Sequence, residues 1–170
     1  MTKSKKSTQM PNRILGIDPG YGRIGLAIIE NEKGKQKLIH SECFETDGKL
    51  PHPTRLGLIA EKLRNILERF KPAKVAVEEL LFSKNVKTAI KVAEARGVIL
   101  AEAARKKVAV FEYNPNSIKL AITGYGKSDK KQIIGMIERL VKIEHKIEFD
   151  DEYDAIAVAL TCAAIKETLA

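Results

Sequence analysis

The chain has 170 residues, enough for one domain with a real core and crowded for two. Its 30 Lys and Arg against 22 Asp and Glu give a net charge of +8, which favours a polyanionic partner such as nucleic acid. No stretch is long and apolar enough to span a bilayer, and the two cysteines, Cys43 and Cys162, form no disulfide framework or metal-ligand spacing. Residues 1–11 read as a flexible basic tail without the apolar stretch of a signal peptide, and residues 12–170 as a single domain; the expected location is cytoplasmic.

In chain order, Arg13 to Asp18 reads as a buried strand stopped by Pro19 and Gly20. Gly16 inside that strand points to the close approach of another part of the chain. Strands follow over Arg23–Glu30 and Gln36–Phe44, completing an antiparallel meander. The apolar period then becomes helical, from Leu56 to Phe70, with Thr54 as the expected N-cap and Pro72 as the stop. Lys74 to Glu79 is a short β-branched strand, Asn85 to Lys107 a long helix, and Val108 to Tyr113 another strand. The long helix carries a stripe of small and apolar residues that suits either a close helix crossing or packing on the sheet. Asn114 and Pro115 open a helix that Gly124-Tyr125-Gly126 breaks. Ser128 is expected to cap the next helix, and Asp150 a last, largely apolar one running to about Thr168. An antiparallel meander followed by alternating strands and helices predicts an α/β fold, a five-stranded mixed sheet flanked by helices.

Four acids stand at element ends: Asp18, Glu78, Asp151 and Asp154. The last two are three residues apart and share a helix face. Clustered carboxylates repel one another unless a cation lies among them, and hard divalent cations take oxygen ligands. Such a pair of ions can hydrolyse a phosphodiester. Each acid also has a plain structural use. Asp18 suits a turn, Asp151 and Asp154 suit a helix N-terminus, and spacing does not separate Glu78 from Glu79.

Five blocks in order resemble the RuvC family of Holliday junction resolvases: ILGIDPG from Ile14, VAVEE from Val75, the segment from Asn85 through Ala95-Arg96-Gly97-Val98, FEY from Phe111, and DEYDAIA from Asp151. The resemblance spans about Arg13 to Thr161. It implies an RNase H-like fold and a homodimer that cuts two equivalent strands of a four-way DNA junction symmetrically, in recombination and repair. It implies Mg²⁺, two ions per subunit with Mn²⁺ able to substitute, held by Asp18, Glu78, Asp151 and Asp154 as the catalytic carboxylates. The family's junction-wedging aromatic falls at Leu81 or Phe82. Its DNA-contacting lysines fall on Lys119 and Lys130, with Lys84 extending the same surface. The long helix corresponds to the family's dimer element, and a RuvA–RuvB branch-migration motor is implied as a partner by the family alone. An alternative is an RNase H-like ribonuclease that processes ribosomal RNA precursor. It shares the Asp-Pro-Gly opening, but the blocks around Glu78, Arg96 and Phe111 argue against it. A phosphate-binding module of the actin and sugar-kinase type would need a longer, duplicated chain. A catalytically inactive junction binder would not be expected to keep all four acids.

Overall fold

A computed structural model describes residues 12–80 and 86–165. The tail, the end of the last predicted helix at Thr168, and Leu81, Phe82 and Lys84 lie outside the described residues. Five strands form one sheet: β1 (Arg13–Asp18), β2 (Arg23–Glu32), β3 (Lys35–Glu45), β4 (Lys74–Glu78) and β5 (Ala109–Tyr113). Their order is β3-β2-β1-β4-β5. The β1–β2 and β2–β3 pairs are antiparallel, and β1–β4 and β4–β5 are parallel. The predicted mixed sheet is therefore the observed one.

The helices are α1 (His52–Phe70), α2 (Val86–Arg105), α3 (Pro115–Thr123), α4 (Lys130–Leu140) and α5 (Asp150–Ala164). The period-2 alternation of β1 sends its side chains to both faces of the sheet. Leu15 and Ile17 join Leu63, Ile99 and Ala103 in the core under α1 and α2. Ile14 joins Ile118, Ile137, Ile156 and Leu160 in the core under α3, α4 and α5. Helix α5, apolar nearly all round, is the most enclosed, with Ala155 to Cys162 all buried.

Gly16 is why α5 lies so close to the sheet. A Cβ there would stand 2.2 Å from the Ala155 carbonyl oxygen, and one on Gly25 would stand 1.8 Å from that of Asp151. Two glycines on paired strands thus seat the first turns of α5 directly on β1 and β2.

Three predicted caps are corrected. Helix α1 starts three residues earlier than expected, with Pro51 rather than Thr54 at its N-cap and a proline in its first turn, so Thr54 is inside it. Asp129, not Ser128, caps α4 in a reciprocal capping box with Gln132. Asp150 is the first residue inside α5, and Phe149 holds the N-cap position without a side-chain bond. Only at α4 does a neighbour supply the same side-chain cap; α1 and α5 begin without one.

Candidate active site

Parallel pairing of β1 and β4 brings the C-terminal ends of both strands together, and with them Asp18 and Glu78. The two carboxyls share a hydrogen bond. Glu79, just past the end of β4, is exposed, whereas Glu78 is half-buried. The first turn of α5 adds Asp151 and Asp154 to the electrostatic surroundings of Asp18. Burial, then the charges of Glu78, Asp154 and Asp151, raise the Asp18 carboxyl from its ordinary 3.8 to about 8. Glu78 and Asp154 are also pushed upward, chiefly by burial.

Two basic residues offset this crowding. Lys130, at the start of α4, places its ammonium 2.6 Å from Asp154 Oδ1. Arg23, at the start of β2, lies 3.3 Å from Asp151 Oδ2 and stacks 4.8 Å from the Phe149 ring centroid. Among the described residues, no group of three or more His, Cys, Asp or Glu side chains is already gathered into a metal cage. Two of the four acids are turned to basic partners instead. The donor set is nonetheless all carboxylate, the hard oxygen chemistry that suits Mg²⁺ or Mn²⁺ and not a thiol-preferring metal. Burial first, and neighbouring carboxylates after it, disfavour the charged forms of Asp18 and Glu78, a cost that a bound cation would relieve.

Two clefts open over these acids and share Glu78 and Pro115. One, of about 240 Å³, is lined by Glu78, Lys119, Ser128, Lys130 and Asp154 among others. The other, of about 190 Å³, is lined by Asp18, Pro19, Glu78, Glu79 and Leu80 with Pro115. Lys119 and Lys130, both singled out from sequence, therefore border the same cleft as two of the acids.

Sequence reasoning passed over two supports. Glu152 is buried beside Asp151 and accepts hydrogen bonds from Ser41 Oγ on β3 and His145 Nε2, each at 2.6 Å. It ties the first turn of α5 to the sheet. Arg55, also buried, donates to the Tyr21 carbonyl at 3.1 Å and to Thr46 Oγ1 at 2.9 Å, and its guanidinium lies 3.7 Å from the Tyr21 ring centroid. That holds the turn after Asp18. A glutamate inside DEYDAIA and an arginine on a helix carry no local signal of either role.

A family model described as "Crossover junction endodeoxyribonuclease RuvC" matches residues 14–162. The chain belongs to the RuvC family. The RuvC of Thermotoga petrophila is 46% identical over 147 residues, 86% of this chain and 89% of that one. Thermus thermophilus RuvC, solved in complex with a Holliday junction substrate, superposes with a TM-score of 0.84 at 33% identity, covering 89% of this chain and 93% of that one. The yeast mitochondrial Holliday junction resolvase Ydc2, at 17% identity and a TM-score of 0.69 over 93% of this chain and 80% of that one, shares the fold. RuvC relatives are endonucleases by name, and the RNase H-like architecture expected from sequence is the one shared here.

Proposed function

We propose that this RuvC-family chain resolves four-way DNA junctions by metal-dependent hydrolysis, with Asp18, Glu78, Asp151 and Asp154 as its catalytic carboxylates. The observation that carries the reading is the meeting of Asp18, Glu78 and Asp154 from two strands and a helix, beside a cleft bordered by Lys119 and Lys130. The solved complex of the Thermus relative with a Holliday junction supports the substrate class.

In this reading the four acids hold two Mg²⁺ ions, or Mn²⁺ in their place. Bound ions of this kind supply Lewis acidity and a water made nucleophilic at neutral pH. The chain's residues do the rest. Asp18, whose carboxyl feels the charges of the other three acids, would have to lose its proton to hold metal. Lys130 leaves Asp154 for a phosphate oxygen, and Lys119 neutralises a neighbouring phosphate. Attack in line with the departing oxygen leaves a 5′-phosphate and a 3′-hydroxyl.

Symmetric cutting needs two sites, and α2 supports a homodimer. Its residues Val86, Ile90, Ala93, Gly97, Ala101 and Ala104 recur at helical spacing and are all exposed. Two further members of the predicted stripe, Ala89 and Leu100, are half-buried, and Leu100 packs against the core with Ala95, Ile99 and Ala103, so the stripe faces mainly but not wholly outward. Small side chains let a second α2 cross closely. RuvA and RuvB are proposed as the motor partners on the strength of the family. No helix among the described residues is long and apolar enough to cross a membrane, in keeping with the proposed cytoplasmic location.

The test is cleavage of a synthetic four-way junction with and without Mg²⁺, with mapped cuts. Glu78→Gln and Asp154→Asn should each keep junction binding and lose cleavage by at least about a hundredfold, as expected when transition-state stabilisation by metal is removed. A variant that cut normally would remove that residue from the site. Preference for structured RNA over the junction would favour the ribonuclease alternative.

A further inference from the structure

Beside the cleft, the turn from Thr123 to Ser128 carries an aromatic side chain that burial does not explain. Tyr125 is 59% exposed. Gly124, at φ +77, ends α3 in the left-handed conformation and its N–H returns to the Leu120 carbonyl. In helix ends of this kind the residue after the glycine often covers the one at the position of Leu120. Here Leu120 is itself 56% exposed, so neither side chain shelters the other.

The turn is nevertheless tightly held. Thr123 Oγ1 donates to the Lys119 carbonyl at 2.8 Å and lies 2.6 Å from Ser128 Oγ. Ser128 Oγ donates to the Tyr125 carbonyl at 2.7 Å, and the Tyr125 N–H donates back to Thr123 Oγ1 at 3.1 Å. Ser128 is buried and lines the same cleft as Glu78, Lys119, Lys130 and Asp154. The backbone of Tyr125 is thus one hydrogen bond from the cleft wall, and exposed Lys127 follows two residues on. An exposed aromatic on a held backbone, two residues before a lysine and next to a cleft bordered by Lys119 and Lys130, suits a strand whose phosphates are neutralised while a base stacks.

We propose that Tyr125 stacks on a nucleobase next to the scissile phosphate and so positions the strand that is cut. This rests on the junction-cleaving reading above. The turn's hydrogen bonds hold the tyrosine backbone in place before DNA arrives, so little ordering is needed on binding.

The test uses the full chain, without divalent metal, titrated with a four-way junction carrying 2-aminopurine beside the mapped cut. The unaltered protein should change the probe's fluorescence on binding. Tyr125→Ala should abolish that change and weaken binding roughly 5- to 100-fold, with the salt slope and Tm unaltered. Tyr125→Phe, which keeps the ring, should stay within about twofold of the parent. Lys127→Ala should instead lower the salt slope by about one. An Ala variant that binds and reports like the parent overturns the proposal. So does a Phe variant as weak as Ala, or an Ala variant whose affinity and Tm fall together. A parent protein with no preference for the junction over linear duplex overturns the junction reading. A junction-selective parent with an indifferent Ala variant overturns only the stacking contact.

Discussion

Asp18 sets the pH behaviour of the protein at the scale of single residues. Its folded-state pKa of about 8 lies above its ordinary 3.8, so the folded state holds the proton more tightly than the unfolded chain. Stability from this group is therefore fully present below about pH 4 and lost as pH rises to about 8. Metal-free protein should melt at progressively lower temperature across that window, and Asp18→Asn should flatten the decline. Thermal melts at several pH values with chelator present check this; an unchanged slope in the variant would place the shift elsewhere. Metal binding requires the deprotonated carboxylate and so should release protons near neutral pH. Lys130 acts at the same scale. Its ammonium partly offsets the crowding of Asp154 with Asp18 and Glu78, which explains why three acids can meet in one place.

Among the elements, the placement of α5 is the decisive event. Gly16 and Gly25 admit its first turns, and Glu152 anchors them to β3. Gly16→Ala sets a Cβ against backbone, which cannot rotate away. Its cost should reach or pass the upper end of about 1–3 kcal/mol for overpacking, read by urea unfolding. Glu152→Ala leaves the Ser41 hydroxyl without its acceptor in a buried place and should cost about 1–3 kcal/mol in the same assay. An Ala variant as stable as the parent would show that α5 is held by its apolar faces alone. Helix α2 divides its surface differently, with one face in the core and a small-residue stripe outside.

The whole molecule joins a basic surface to an acidic centre. In the proposed function, the net charge of +8 would draw the DNA and the four carboxylates would take the metal. Junction affinity should fall steeply with salt, with log K losing about 0.9 of slope per phosphate neutralised, and Lys119→Ala should reduce the slope by about one. A two-fold interface through α2 would meet any change on both sides at once. Ile90→Lys, within the exposed stripe, should therefore weaken self-association by roughly 2 kcal/mol or more, seen as monomers in sedimentation. An unaltered oligomeric state would move the interface off this helix.

The order and type of the ten elements were legible in the sequence, because periodicity and turn chemistry are local properties of the chain. So was the list of candidate acids, since Asp18 sits at a strand end and Asp151 and Asp154 share a helix face. Gly16 even announced that something would approach β1, without saying what. Caps were less legible: Ser128 had a neighbour, Asp129, able to do the same work, and α1 and α5 start at Pro51 and Phe149 without a side-chain cap. The relations between distant residues needed the tertiary structure. Only strand pairing set Glu78 against Asp18, with Glu79 left exposed at the rim of the same cleft. Only the seating of α5 showed what Gly16 and Gly25 are for, and that Glu152 is a tie and not a surface acid. Only packing revealed which stripe of α2 faces out. Local preference acts over a few residues, whereas a site is made from contacts between residues up to about 136 positions apart in the chain, such as Asp18 and Asp154.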